Sequence, residues 1–503
     1  MKPLSDPWRT SLSGAPLTAS YTVACGVAFL LFGYDQGVMG GLVGSEHFLK
    51  VFPSLAGNPT LLGTTVAIYE IGAFFGSIIC SAFSDRLGRR ISVLTASLVV
   101  FVGAALQAAS VNLAMLIVFR VFTGLGIGVL TSITPSFHAE CVPAKIRGRI
   151  VSVQLILCAV GLTTSFWVDY GCSYVNGQFA WRFPVALQCL FPIITIVLLL
   201  FLPDSPRWYV EQGRIDDARD VLIRLNGVKM GEAILQEIQE AASLEAKVAS
   251  NSYFDVFKNN DQSFRYRTLL SIGSLFFQQM TGVNMISYYS AVIFQQSVGL
   301  SANLSLLLSG FNGLNSLFWI TFTTFFLIDR VGRVRLMMWT AAIQVAIFAV
   351  LAGVLHDVTG SKANGIVGAA MLFLFFATFS IGWLAPSWLY PAEITPLAIR
   401  GSAASLGSAS NWIFNFLVVE ITPTGIANIG SKYYIIYACT NLMIVPLLYF
   451  FYPETSKLSL EAIDALFADG KVYMRRSPNE PIHVDSSPSN QSAADVMVDE
   501  GKV

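Results

Sequence analysis

The sequence predicts an all-α membrane protein in which twelve spanning helices form two related halves of six. Three observations predict it. There is too little charge for a water-exposed surface, there are twelve apolar runs of spanning length, and one set of charged motifs occurs twice. Charged residues are 12% of the 503 positions and hydrophobic residues 54%, where ordinary soluble domains carry roughly a quarter charged residues. Acidic and basic residues balance at 31 each, so no basic footprint points to nucleic acid. The seven cysteines form no CxxC pair. Most of them (Cys25, Cys80, Cys158, Cys189, Cys439) lie in apolar runs, where cysteine packs as a small hydrophobe.

A bilayer core asks for about 20 apolar residues per helix. Residues 1–18 are polar, contain Pro3, Pro7 and Pro16 and lack a signal-peptide pattern, so they read as a cytoplasmic N-terminal segment. The run 19–41 is then a retained first span. Runs at 61–83, 91–109, 112–134, 150–168 and 183–202 complete an N-terminal bundle, 19–202. The charged stretch 203–267 reads as a cytoplasmic linker with short amphipathic helices at 215–225 and 233–248. Runs at 268–294, 303–328, 335–355, 366–390, 401–422 and 433–452 make the C-terminal bundle, 268–452. The tail, 453–503, is Ser/Pro-rich and expected to be disordered beyond 470.

The loops after spans 2, 4, 8 and 10 hold Arg86, Arg89, Arg90, Lys145, Arg147, Arg149, Arg330, Arg333, Arg335 and Arg400. The opposite loops hold only Lys50, Arg182, Lys362 and Lys432. The positive-inside rule therefore predicts a multi-pass protein with both termini in the cytoplasm, and the plasma membrane is its expected location.

The halves share their motifs. Ala139-Glu140 through Ile146-Arg147-Gly148 recurs as Ala392-Glu393 through Ile399-Arg400-Gly401, roughly 250 residues later. Asp85-Arg86-Leu87-Gly88-Arg89 recurs as Asp329-Arg330-Val331-Gly332-Arg333, and Pro203-Asp204-Ser205-Pro206-Arg207 as Pro453-Glu454-Thr455-Ser456-Lys457. A six-helix unit doubled in parallel places a ligand between the halves near the bilayer midplane. Topology alone explains the arginines (Arg86, Arg89, Arg90, Arg147, Arg207, Arg330, Arg333, Arg400) but not the recurring acids Asp85, Glu140, Asp204, Asp329, Glu393 and Glu454. These charges are expected to pair within and between the halves, holding the cytoplasmic side closed and parting as it opens.

With Gln278-Gln279-Met280-Thr281-Gly282-Val283-Asn284 and Trp388-Leu389-Tyr390-Pro391-Ala392-Glu393, these motifs resemble the sugar porter branch of the major facilitator superfamily over about residues 20–467. The Phe32 to Gln36 and Asn411 to Phe416 stretches resemble fungal members most. The resemblance implies the major facilitator fold and carriage of a sugar by alternating access.

Asp35 in span 1 is an ionisable group at membrane depth, which is costly and usually functional. Arg120 in span 4 belongs to the same half. An acid and an arginine that pair only when the acid is ionised make a protonation switch, and the resemblance gives this pair that role. Span 7 carries Gln278, Gln279, Asn284 and Tyr288. Amides donate and accept, which suits sugar hydroxyls, and the resemblance makes Gln278, Gln279 and Asn284 sugar ligands. Gln278 and Asn284 would lie about 120° apart on an unbroken helix, a geometry that Gly282 can relax. Trp388, Asn411 and Trp412 match further sugar-lining positions of the family. Phe32 offers an aromatic face near Asp35.

Two departures stand out. Most sugar porters carry a glutamine eight residues after the arginine of the first Arg-Gly motif, and here that position is Leu155, with Gln154 pointing elsewhere. Leu317 stands where many relatives have asparagine. A pentose, a polyol or a larger glycoside is thereby kept open beside a hexose. No nucleotide-binding, metal-ligating or catalytic pattern appears, so neither an enzyme nor a cofactor is expected. The expected partners are a sugar or polyol, the proton and the lipid bilayer, around a functional monomer. The expected function is import by proton symport. The alternatives are a passive uniporter and a non-transporting sugar sensor.

Overall fold

A computed structural model describes residues 10–143, 147–248, 253–258, 260, 262–297, 299–356, 362–458 and 460–467. Every regular element among them is helical. The twelve spans are α1 (Ala15–Leu42), α2 (Pro59–Leu87), α3 (Arg89–Ala108), α4 (Leu113–Glu140), α5 (Arg147–Cys172), α6 (Phe179–Leu187 and Leu190–Phe201), α7 (Phe264–Met280 and Val283–Val292), α8 (Ala302–Phe322, continued to Val331), α9 (Arg333–Val354), α10 (Lys362–Gly382 and Pro386–Ile394), α11 (Arg400–Ile429) and α12 (Tyr433–Phe451). Among the described residues, ten stretches are long and apolar enough to cross a membrane, one of which runs through both α11 and α12. The broken α7 makes the twelfth span.

Local chemistry sets the helix starts. Asn58 accepts from the Leu61 amide at 3.1 Å ahead of Pro59, and Asn112 accepts from the Met115 amide at 2.8 Å. Both satisfy donors that a helix start leaves open. A proline in the first turn lets α1 begin at Ala15, before the apolar run itself. Among the described residues the linker holds three α-helices, Pro206–Glu211, Ile215–Asn226 and Val228–Val248, and a short 3-10 helix, Tyr253–Phe257, where the sequence suggests two helices. The first is capped by the Ser205 hydroxyl, which accepts from the Arg207 and Trp208 amides.

Packing inverts the pattern of a water-soluble protein. Phe318, Trp339 and Met443 are each more than 60% exposed, while Asp35, Glu70, Arg120 and Asn415 are 1% exposed or less. That is the distribution lipid demands. Within the first half, α1 and α5 touch backbone to backbone. A Cβ on Gly33 would lie 1.8 Å from the Cys158 carbonyl oxygen, and one on Gly161 would lie 2.0 Å from that of Leu30. Only glycine fits this seam.

The arginine-bearing loops mark one end of the bundle, called inner here. At the outer end the halves meet through α2 and α11. The Thr60 and Thr424 hydroxyls lie 3.3 Å apart, and Thr64 donates to Glu420 at 2.7 Å. At the inner end a short helix, Leu460–Leu466, docks on the second half. Arg267 donates to Asp464 and to the Ile394 carbonyl, both at 2.5 Å. The tail expected to be disordered beyond 470 lies outside the described residues.

Candidate functional site

The break in α7 builds the centre of the site. Gly282 sits at φ 88° between the two pieces, a left-handed conformation that costs other residues strain. The break swings the following turn back. Asn284 Nδ2 donates to Gln279 Oε1 at 2.6 Å, and Gln279 Nε2 donates to Asn411 Oδ1 on α11, also at 2.6 Å. Gln278 Nε2 donates to the Trp383 carbonyl at 3.1 Å, in the interruption of α10. Four of the expected residues thus form one amide cluster.

Aromatic faces adjoin it. Trp412 meets Phe32 of the other half edge-on at 5.5 Å and Tyr69 at 6.2 Å. Both atoms of the Asn415 amide and the indole nitrogens of Trp383 and Trp412 are buried without a partner. Buried polar atoms left unpaired cost about 1–3 kcal/mol each, so these groups are open to a hydrogen-bonding partner. Trp388 packs on an apolar cluster of Leu155, Ala159, Ile320, Ile328 and Ala385, which Leu317 also joins. Both departures from the family pattern therefore fall in the same place. Gln154 turns into its own half, where its Nε2 lies 3.0 Å from His138 Nδ1.

The acid and the arginine do not pair as expected. Asp35 Oδ1 accepts from Gln188 at 3.1 Å while Oδ2 has no partner. Arg120 donates to the Val66 carbonyl at 2.8 Å, lies over the Tyr69 ring at 5.4 Å, and leaves Nε and Nη1 without partners. Gln188 and Val66 satisfy locally what each group would have taken from the other. A second acid, absent from the sequence expectation, completes the group. Glu70 on α2 is fully buried, and its Oε1 accepts from the Tyr288 hydroxyl of the other half at 2.5 Å. Tyr288, expected as a ligand, thus spends its hydroxyl on Glu70. The rule that singles out Asp35, an acid inside an apolar run, singles out Glu70 equally. Gln188 carries no such signal.

At the inner end the repeated motifs form matching networks. Asp204 accepts from the Arg90 amide at 3.1 Å at the start of α3, and Glu454 accepts from the Arg333 amide at 2.8 Å at the start of α9. Each carboxylate caps the helix that follows its arginine-rich loop. Arg89 reaches Glu140 and Glu211 at 3.6 Å, and Arg333 reaches Glu393 at 3.0 Å and Asp329 at 3.1 Å. Ser205 donates to Glu140 and Thr455 to Glu393. Arg207 pairs with Glu211 at 3.4 Å, and Arg400 donates to the Thr395 carbonyl at 3.3 Å. Arg86 and Arg330 are exposed, and the side chains of Asp85 and Arg147 lie outside the described residues. Every bond just named closes within one half and the segment that directly follows it, so the bridging between halves expected of these charges is not among them. The reason is covalent proximity, since each partner flanks a span of the same bundle. Burial pushes the Asp204 carboxyl up to about 6, against the pull of the Ser205 and Arg90 amides and the Arg89 and Arg90 charges.

The family model described as "Sugar (and other) transporter" matches residues 20–467. The chain is 36% identical to the MFS-type transporter oryC of Aspergillus oryzae, over 96% of this chain and 93% of that protein. It is 34% identical to the sugar transporter STL1 of Saccharomyces cerevisiae, over 92% and 83%. It is 31% identical to the high-affinity glucose transporter 1 of Candida albicans, over 92% and 88%. Among solved structures it resembles the proton:xylose symporter XylE bound to 6-bromo-6-deoxy-D-glucose, at TM-score 0.75 and 25% identity over 90% of this chain and 100% of that one. The inward-open form of XylE from E. coli matches at TM-score 0.74 and 25% identity, over 89% and 99%. With twelve spans in two repeated halves and the whole of its membrane domain matched, the chain belongs to the sugar porter family of the major facilitator superfamily.

Proposed function

We propose that the protein imports a sugar or polyol across the plasma membrane by proton symport, as a monomer with both termini in the cytoplasm. The observation that carries the reading is the amide cluster of Gln278, Gln279, Asn284 and Asn411 beside Trp412, set against Phe32 and Tyr69 of the opposite half. Amides match ring hydroxyls, and aromatic faces cover the C–H surface of a sugar. Because the two halves contribute different walls, binding favours the conformation that closes them together. Asp35 supports the proton. It is a buried acid with one free oxygen near an arginine with two free nitrogens, so protonation and pairing compete. The names of the similar proteins include a glucose transporter and a proton:xylose symporter, which agrees with this reading.

The test is uptake of labelled glucose, xylose and glycerol in a transporter-deficient host, with and without a protonophore. Wild type should accumulate at least one of them uphill, and the protonophore should abolish this. Asp35→Asn should lose uphill accumulation while still exchanging substrate. Accumulation at wild-type level in the variant overturns the role of Asp35. Downhill uptake alone in wild type establishes the uniporter.

A further inference from the structure

We infer that Glu70 is a second proton-binding carboxylate, tied through Tyr288 to the closing of the two halves over the ligand; the inference rests on the symport reading above. Glu70 lies on α2, and Tyr288 lies on α7 directly after the amide cluster. Among the described residues their bond is a polar link between the halves, along with Thr60 to Thr424, Thr64 to Glu420 and Ser77 to Ser408. When the outer ends of α2 and α7 part, Glu70 loses its donor.

The surrounding charges leave Glu70 little else. Around it are Asp35 from α1, Arg120 from α4, Tyr288 from α7 and Tyr69 beside it on α2, with Glu420 of α11 further out against Thr64. Two acids thus share one guanidinium. With both ionised the group carries a net negative charge at membrane depth, which is strongly disfavoured, and one bound proton makes it neutral. The unpartnered atoms fit this sharing. Glu70 Oε2, Asp35 Oδ2, and Arg120 Nε and Nη1 are all buried and unbonded, so the arginine can turn to either acid. The Tyr288 hydroxyl holds one oxygen of Glu70 and leaves the other free for a proton or for the arginine. Opening the outer side withdraws that donor, so the proton occupancy of the pair changes with closure. Tyr288 follows Asn284 by about one helical turn, so ligand capture and proton occupancy act on the same short segment.

The experiment uses the full-length protein in liposomes, with whichever of labelled glucose, xylose or glycerol the wild type exchanges. Two quantities are read: accumulation driven by an imposed pH gradient, and the pH profile of exchange without a gradient. Glu70→Gln should cut accumulation at least about tenfold, and should flatten an exchange profile that in wild type reports essential titrating groups. Glu70→Asp, which keeps an acid, should keep a pH-dependent profile. Tyr288→Phe, which keeps the acid and removes the donor, should displace its midpoint. Wild-type accumulation and profile in Glu70→Gln overturn the inference and leave symport through Asp35 standing. An unmoved midpoint in Tyr288→Phe overturns the tie to closure. If wild type shows no accumulation, the symport reading fails by itself, and a profile flattened by Glu70→Gln still upholds the proton site. A wild-type profile that is already flat overturns it.

Discussion

A side chain's neighbours decide what its sequence position can mean. Asn284 is informative because its amide is spent on Gln279, which in turn holds Asn411. Alanine at 284 or at 279 should raise the apparent KM about two- to tenfold, the cost of one neutral hydrogen bond of about 0.5–1.5 kcal/mol. Because the two amides form one chain, the double variant should cost clearly less than the sum. Initial uptake rates normalised to surface protein decide it, and full additivity would show that the residues act separately. Asp204 gives a second prediction. Its folded value of about 6 lies above the ordinary 3.8. The folded state therefore binds the proton more tightly than the unfolded one, and the site adds stability as pH falls from above 6 towards 3.8. The thermal midpoint of wild type minus that of Asp204→Asn should thus be larger at acid than at neutral pH in detergent. A difference independent of pH would contradict the assignment.

The helices themselves were legible because spanning length is an apolar count, and Gly282 was legible as the point where α7 can relax, though the run itself reads as one span. Directions were less so. The sequence puts Asp35 and Arg120 in the same half, but the direct bond fails because Gln188 and the Val66 carbonyl stand closer. No periodicity shows a partner chosen across three helices. Likewise Leu155, at the position where most relatives have glutamine, packs with α8 and α10 beside Trp388, and Gln154 is committed to His138. At α7 the prediction concerns backbone. Alanine at 282 would place a Cβ 2.7 Å from the Tyr437 ring at a φ that disfavours side chains. Such strain costs about 1–3 kcal/mol. Gly282→Ala should lower the thermal midpoint and weaken ligand binding together, measured by melting with and without ligand. Binding preserved in a destabilised variant would show that the break does not set the amide geometry.

Across the whole molecule the outer ends of α2 and α11 are in contact at Thr60 and Thr424. If the halves rock against each other, locking this contact stops the cycle. In a Cys439→Ser background, since Cys439 is the exposed native thiol among the described residues, a Thr60→Cys/Thr424→Cys pair should lose transport on oxidation and regain it on reduction. Either cysteine alone should be silent. Oxidised protein with proven cross-link and full transport would mean that this contact persists through the cycle.

The paired caps also bear on how the chain is made. Asp204 stands just past the sixth span and Glu454 just past the twelfth, and each closes the start of a helix three spans earlier in its own half. A ribosome delivers such chains from the N-terminus at about 5–20 residues per second. The first half therefore receives its cap before the second half has entered the bilayer, and the second receives its own only after its twelfth span has been made. Each bundle is sealed by the residue that announces its completion, so a truncated or stalled product exposes an uncapped helix start at the inner face, where quality-control proteases can find it.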